Sequence, residues 1–132
     1  MTIIWTLFAL GVIAAAWFWF EGRWDRRLFA DEPGRVCVNL SAAQARVWLQ
    51  EHPETQVLDV RSAGEFSSGA LPGGVNISLG DEAFETKVRA LDRQRPLLVY
   101  CAGGYRSRKA VERLKAMGFE NIRHLDRGFM SW

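Results

Sequence analysis

The sequence predicts an α/β domain, a parallel sheet flanked by helices, preceded by one transmembrane helix. Three observations carry this. Beyond residue 34, short apolar strand-like runs alternate with helical patterns over short connections, the order expected of a parallel sheet covered by helices. The run Leu97–Tyr100 is apolar at every position, as a strand buried on both faces of such a sheet must be. Charge is also segregated: no Asp, Glu, Lys or Arg precedes Glu21, so all 17 basic and 15 acidic side chains fall within residues 21–132. An uncharged apolar leader therefore precedes an ordinary charged domain.

The leader, residues 1–22, is read as the transmembrane helix. Ile3–Phe20 runs IIWTLFALGVIAAAWFWF; as a helix at ~1.5 Å per residue it spans roughly 27 Å, against ~30 Å for a bilayer core. A signal peptide would need a basic start and small residues before a cleavage point, whereas this segment begins Met1-Thr2 and ends in Trp17-Phe18-Trp19-Phe20. A buried core helix would keep a polar face. Instead Trp5 near the start and Trp17, Trp19 and Trp24 near the finish resemble interfacial belts. Arg23, Arg26, Arg27 and Arg35 follow the apolar run and no basic residue precedes it, which predicts a single-pass protein with its C-terminal domain in the cytoplasm. Gly11 and Ala15 form a small-xxx-small pair through which two copies could pack as a homodimer.

Residues 23–34, with Pro33-Gly34, are expected to be a linker, and residues 35–132 the domain. One domain is what 132 residues allow. A composition of 48% hydrophobic and 24% charged residues, a net charge of +2 and only two cysteines, Cys37 and Cys101, exclude a collagen, a disordered tail and a disulfide scaffold. Arg35–Val38 is a candidate edge strand. Ser41-Ala42-Ala43-Gln44 is a capping-box signature, and Ala45, Trp48 and Leu49 follow at helical spacing until Pro53. Gln56–Val60 is a compact strand, and a second capping box, Ser62-Ala63-Gly64-Glu65, opens a short helix. Val75–Ile77 reads as a short strand. Glu82–Leu91 reads as an amphipathic helix with Phe84, Val88 and Leu91 on one face. Ser107–Met117 is the clearest helix, its stripe Ala110, Val111, Leu114 and Met117, with Gly118 placed for a left-handed cap. Ile122–Leu125 gives the last strand.

Cys101 stands at the carboxyl end of the most buried strand, where ligands bind in open α/β sheets. The residues that follow are Ala102, Gly103, Gly104, Tyr105 and Arg106, and a helix begins at Ser107. Two glycines let the backbone curl so that N–H groups face inward as an anion-binding concavity. The positive helix end and Arg106 favour the charged form of a thiol held there.

At these residues the chain resembles a known family. LDVRSAGEF at 58–66, GALPGGVNI at 69–77, VYCAGGYRS at 99–107 and GFMSW at 128–132 together resemble the single-domain rhodaneses, thiosulfate sulfurtransferase-like proteins, from about Val38 to Trp132. The resemblance implies a five-stranded parallel sheet flanked by helices, with Cys101 as the residue that carries a persulfide. In the implied reaction the Cys101 thiolate takes the outer sulfur of a donor such as thiosulfate, and a thiol or cyanide then removes it. The amides of Ala102 through Ser107 would hold the persulfide and the donor's anionic oxygens, and Arg106 would contact a sulfonate-like group. Asp59, Arg61 and Glu65 would be supporting residues that hold the strand end and orient Arg106. No cofactor beyond the covalent persulfide and no metal is implied. The partners implied are a small anionic sulfur donor and a thiol acceptor, a thioredoxin-like protein among the candidates. Two positions depart from the family: Ala70 where His is frequent, and Arg127-Gly128 where Gly-Gly is frequent.

Phosphatases and arsenate reductases of related folds use Cys-x5-Arg loops; Cys101 to Arg106 is Cys-x4-Arg, a smaller ring suited to sulfur on the cysteine. A membrane-tethered regulatory or binding module without catalysis is the alternative from another class, although Cys101 and the glycine-rich loop are both retained. Cys37 is read as a small packed residue, and Asn76-Ile77-Ser78 as a chance glycosylation pattern. The basic residues Arg106, Arg108, Lys109, Arg113 and Lys115 are read as a mostly solvated helix face that draws in anions, with no nucleic-acid partner.

Overall fold

The computed structural model describes residues 1–132 and divides into two compact units, residues 1–30 and 31–132. The first unit is one helix, α1 (Thr2–Leu28). It runs past the apolar stretch through Arg23, Arg26 and Arg27, so the first part of the expected linker is helical. The reason is local. Arg26 and Arg27 sit in the last turn, where cations compensate the carbonyl end, and Arg23 lies over the Trp19 ring one turn back at 4.8 Å. α1 is long and apolar enough to cross a membrane, and its apolar window is 0% buried. A signal sequence near an N-terminus shares that length and composition.

The second unit is a five-stranded, all-parallel sheet of β1 (Val36–Leu40), β2 (Gln56–Asp59), β3 (Gly74–Asn76), β4 (Leu97–Tyr100) and β5 (Asn121–Leu125). The strand order is β1-β5-β4-β2-β3, so β1 is an edge strand and β4 lies at the centre. Every residue of β4 is fully buried, which accounts for its unbroken apolar run. The fold is the expected one, helices flanking a parallel sheet.

α2 (Ala42–Glu51) opens on a complete capping box: Gln44 N–H donates to Ser41 Oγ, and Ser41 N–H to Gln44 Oε1 at 2.8 Å. α3 (Ala63–Ser67) repeats the device with Ser62 and Glu65. α4 is shorter than its periodicity suggests, Phe84–Val88 rather than Glu82–Leu91. Asp81 takes the Ala83 N–H in a turn before it, and Ala90 and Leu91 donate three residues back after it, so the apolar face continues on turned backbone. α5 (Tyr105–Ala116) starts two residues before Ser107. It ends in a Schellman motif: Gly118 at φ +87° donates to Lys115 O, and Phe119 to Leu114 O.

Alternation along the strands divides the core between two faces. Leu40, Val57, Leu98, Tyr100 and Leu125 pack with Ala45, Trp48 and Leu49 of α2 and with Phe129 and Trp132. The opposite face, with Leu97, Val99, Ile122 and His124, meets α5, which buries Ala110, Val111 and Leu114.

Candidate active site

β4 delivers Cys101 to the carboxyl edge of the sheet between β2 and β5, 1% exposed. The chain then turns through Ala102, Gly103 and Gly104 into α5, whose first amides precede any partner within the helix. Gly104 N–H donates to Cys101 Sγ at 3.1 Å, and Ser107 Oγ lies 3.3 Å from the same sulfur. The sulfur is thus bracketed by one backbone amide and one hydroxyl at a helix N-terminus, where negative charge is stabilised.

Only one of the two glycines is required by the turn. Gly104 has φ +103°, and a Cβ there would stand 2.1 Å from Asp126 O. Gly103 has no left-handed φ and an added Cβ meets nothing within 4 Å, which corrects the expectation that both permit the curl. Gly104→Ala is expected to destabilise the domain by about 1–3 kcal/mol and to disrupt the sulfur site, whereas Gly103→Ala stays within ~0.5 kcal/mol of wild type. Urea unfolding of the two proteins compares them directly.

The loop is braced from below by a 3-10 turn at Gly128–Ser131. Phe129 N–H donates to Cys101 O at 2.7 Å and Met130 N–H to Ala102 O at 3.0 Å. Gly128, at φ +62°, leaves room for those carbonyls, since a Cβ would lie 2.4 Å from Cys101 O. The one glycine that Arg127-Gly128 retains is therefore the one the backbone needs. Tyr105 is exposed at the loop's rim beneath Lys109 Nζ.

Arg106 and Glu65 form a two-pronged pair, with contacts of 2.8 and 2.7 Å. Glu65 also accepts the Ser62 amide and hydroxyl, so the cap of α3 sets the position of Arg106 at the site's edge. The Arg106 guanidinium, helped by the Ser62 amide, holds the Glu65 carboxyl far below the usual carboxylate range. A folded-state value below the unfolded one gives stability that is complete above ~4.3 and is lost as the pH falls through the native value. The side chains are 39% and 36% exposed, so the contribution is at most ~1 kcal/mol. The gap in urea midpoint between wild type and Glu65→Gln is expected to be widest near pH 7 and to narrow towards about pH 3.

Asp59 and Arg61 are brought together on the Tyr100 face, and the Asp59 charge also acts on Arg106. Arg61 Nε and Nη2 both donate to Asp59, Nη2 also to Gly69 O at 2.6 Å, and the guanidinium lies 4.3 Å from the Phe129 ring centre. Asp59 is fully buried and Arg61 3% exposed. Burial and the Asp59 carboxylate push Tyr100 up to about 12, and its hydroxyl accepts the Leu71 amide.

The basic face is not uniformly solvated. Arg108 is 2% exposed and donates to Asp126 Oδ1 at 2.8 Å and to Gly104 O, and Lys115 pairs with Glu32 at 2.7 Å; Lys109 and Arg113 are exposed. Cys37 is packed, its thiol pushed up to about 11 by burial. Sequence reasoning also missed Asn39 and His124. His124 Nε2 lies 2.6 Å from Ser107 Oγ and its Nδ1 2.8 Å from Asn39 Oδ1. The available signal was Asn39 in the otherwise apolar β1 and His124 between Arg123 and Leu125 in β5.

Fold and site together define a class: an α/β domain presenting one cysteine from its central strand into a loop that closes on a helix N-terminus. The chain belongs to the rhodanese-like domain family, which matches residues 41–132. It is 33% identical over 86 residues to the thiosulfate sulfurtransferase GlpE of Shewanella oneidensis, covering 65% of this chain and 83% of that protein. It is 31% identical over 84 residues to a tRNA uridine(34) hydroxylase of Nitrobacter hamburgensis, covering 61% of this chain and 33% of that protein. The crystal structure of a rhodanese-like domain protein from Staphylococcus aureus superposes with a TM-score of 0.64 at 26% identity, over 71% of this chain and 89% of that one.

Proposed function

We propose that this protein is a membrane-anchored sulfurtransferase that moves sulfane sulfur from an anionic donor such as thiosulfate to a thiol or cyanide through a persulfide on Cys101. The observation that carries the reading is the bracketed Cys101 Sγ, with Gly104 N–H at 3.1 Å and Ser107 Oγ at 3.3 Å at the start of α5. In the first half-reaction the thiolate of Cys101 attacks the outer sulfur of thiosulfate; a sulfur–sulfur bond forms, the donor's own breaks, and sulfite leaves with the electron pair. In the second, an acceptor thiolate or cyanide attacks the outer persulfide sulfur and Cys101 leaves as thiolate. The amides from Ala102 to Ser107 receive the negative charge of donor and persulfide. No cofactor other than the transferred sulfur enters either step. Arg106, two of whose N–H groups already engage Glu65, meets a donor sulfonate with its remaining ones. α1 holds the domain at the membrane on the cytoplasmic side, within reach of a thioredoxin-like acceptor.

The test uses the full chain in detergent. It is incubated with thiosulfate, its intact mass recorded, and cyanide added. The expected result is a gain of one sulfur atom that cyanide discharges as thiocyanate. No gain from thiosulfate or from a persulfide donor overturns the proposal.

A further inference from the structure

We propose that His124 holds the Cys101 proton while the cysteine carries sulfur, receiving it through the Ser107 hydroxyl. The inference rests on the sulfur-transfer reading for its purpose, and for its mechanism on a chain of hydrogen bonds that is buried from Cys101 to His124 and half-buried from there to Asp126.

The chain has a direction. Asp126 Oδ1 accepts from Arg108 Nη2 at 2.8 Å and from Asn39 Nδ2 at 3.0 Å. Burial alone would raise the Asp126 carboxyl, but the bonds from Asn39 and Arg108 hold it below its ordinary value, so it is an ionised acceptor. The Asn39 amide must then turn its nitrogen to Asp126 and its oxygen to His124. An amide oxygen only accepts, so His124 Nδ1, 2.8 Å away, carries a proton. In the neutral ring Nε2 is left with a lone pair, aimed at Ser107 Oγ 2.6 Å away. Ser107 has one proton to give, and of its three neighbours, Nε2 at 2.6 Å, Gly104 O at 3.1 Å and Cys101 Sγ at 3.3 Å, the nearest, Nε2, takes it. In the thiol form the S–H donates to the hydroxyl oxygen, and in the thiolate form the hydroxyl donates to Sγ across the same 3.3 Å.

Two short proton shifts complete the step. The S–H proton moves to Ser107 Oγ as the Ser107 proton moves to Nε2. The hydroxyl is regenerated, the sulfur becomes a thiolate and the ring an imidazolium, with no proton exchanged with water. Asn39 Oδ1 relays the pull of Asp126 to the new cation. The proton stays on His124 through the persulfide stage, and returns to Cys101 when the acceptor has removed the sulfur. His124 is fully buried, a costly place for an imidazole that only braces a loop, since a packed apolar residue would fill the strand position at no such cost.

Several ionisable groups surround the pair. Cys101 comes from the end of β4, Arg106, whose charge acts on Cys101, and Arg108 from α5, and Asp126 from the turn after β5. Further along the same sheet face lie Cys37 of β1 and Lys115 of α5, the latter paired with Glu32. Arg123 is on the opposite face, over the Trp48 ring.

His124 does not touch the donor and is a positioning residue for the proton, so the test reads pH dependence. The full chain in detergent is treated with iodoacetamide across the neutral range, and alkylation of Cys101 is followed by peptide mass; thiosulfate loading is measured in parallel. With an internal proton acceptor, the wild-type rate is expected to be nearly flat. In His124→Gln the proton must go to water, so the rate is expected to fall on the order of a hundredfold at neutral pH and to climb about tenfold per pH unit. Ser107→Ala, which leaves the His124 network in place, should reproduce that profile, and Ser107→Thr should restore the wild-type one. Variants whose rate drops by one factor at every pH, or does not drop, overturn the inference. The two readings separate cleanly. If the wild type gains no sulfur while the alkylation profiles behave as stated, sulfur transfer is wrong and the proton relay stands.

Discussion

Cys101→Ser protein is expected to take up no sulfur from thiosulfate, to release no thiocyanate, and to unfold at nearly the wild-type urea concentration. The loss is total because the chemistry needs a polarisable nucleophile that can form and break a sulfur–sulfur bond, and a serine hydroxyl does neither. Stability is spared because the oxygen still accepts the Gly104 N–H and still faces Ser107, so no buried polar group loses its partner; the expected change is within ~1 kcal/mol. Intact mass after incubation and a urea titration measure the two halves. Retained sulfur uptake would move the nucleophile elsewhere, to Cys37. A Cys101→Ser protein that keeps its effect in the cell would identify the domain as a tethered binding module.

Asp59→Ala is expected to cost about 3–5 kcal/mol, the largest loss of stability among single substitutions around the site. The carboxylate is fully buried and holds Arg61 through Nε and Nη2, so its removal leaves a guanidinium that is 3% exposed with Gly69 O, the Tyr100 hydroxyl and two aromatic faces but no counter-charge. Against a total of 5–15 kcal/mol for a typical domain, that is a large fraction. Replacing both partners, as Asp59→Leu with Arg61→Met, is expected to recover much of it, because no buried charge remains. Urea midpoints of the single and double variants decide the matter, and a single-variant loss under ~1 kcal/mol would count against it. Folded Asp59→Ala molecules are expected to load sulfur at the wild-type rate, since the hydrogen bonds to Cys101 Sγ come from Gly104 and Ser107.

What could be read from sequence was local or periodic. The capping boxes at Ser41 and Ser62 span four residues each and form as written. The all-apolar β4 announces a central strand, and Gly118 closes α5 as its position suggests. Illegible were the contacts between distant segments. Glu65 is recognisable as a cap, but its second bond, to Arg106 across 41 positions, depends on where α3 and α5 meet. Arg108 looks like one more cation on a basic helix, and only the fold shows that it turns inward to Asp126. Gly103 and Gly104 are indistinguishable as letters; the carbonyl of Asp126 beside one of them makes the difference. His124 and Asn39, 85 positions apart, become neighbours only through the pairing of β1 with β5.

That pairing also governs how the protein comes into being on the ribosome. β1 bonds to β5 alone, so the first strand to be made stays without a partner until the last has emerged. A nascent chain that has reached Cys101 carries the thiol, yet lacks His124 and the Phe129 and Met130 amides that fasten its loop. Cys101 is therefore translated first and surrounded afterwards. Pairing of β5 with β1 and β4, not synthesis of the cysteine, completes the surroundings of Cys101, and long-range closure of this kind is slow relative to local helix formation.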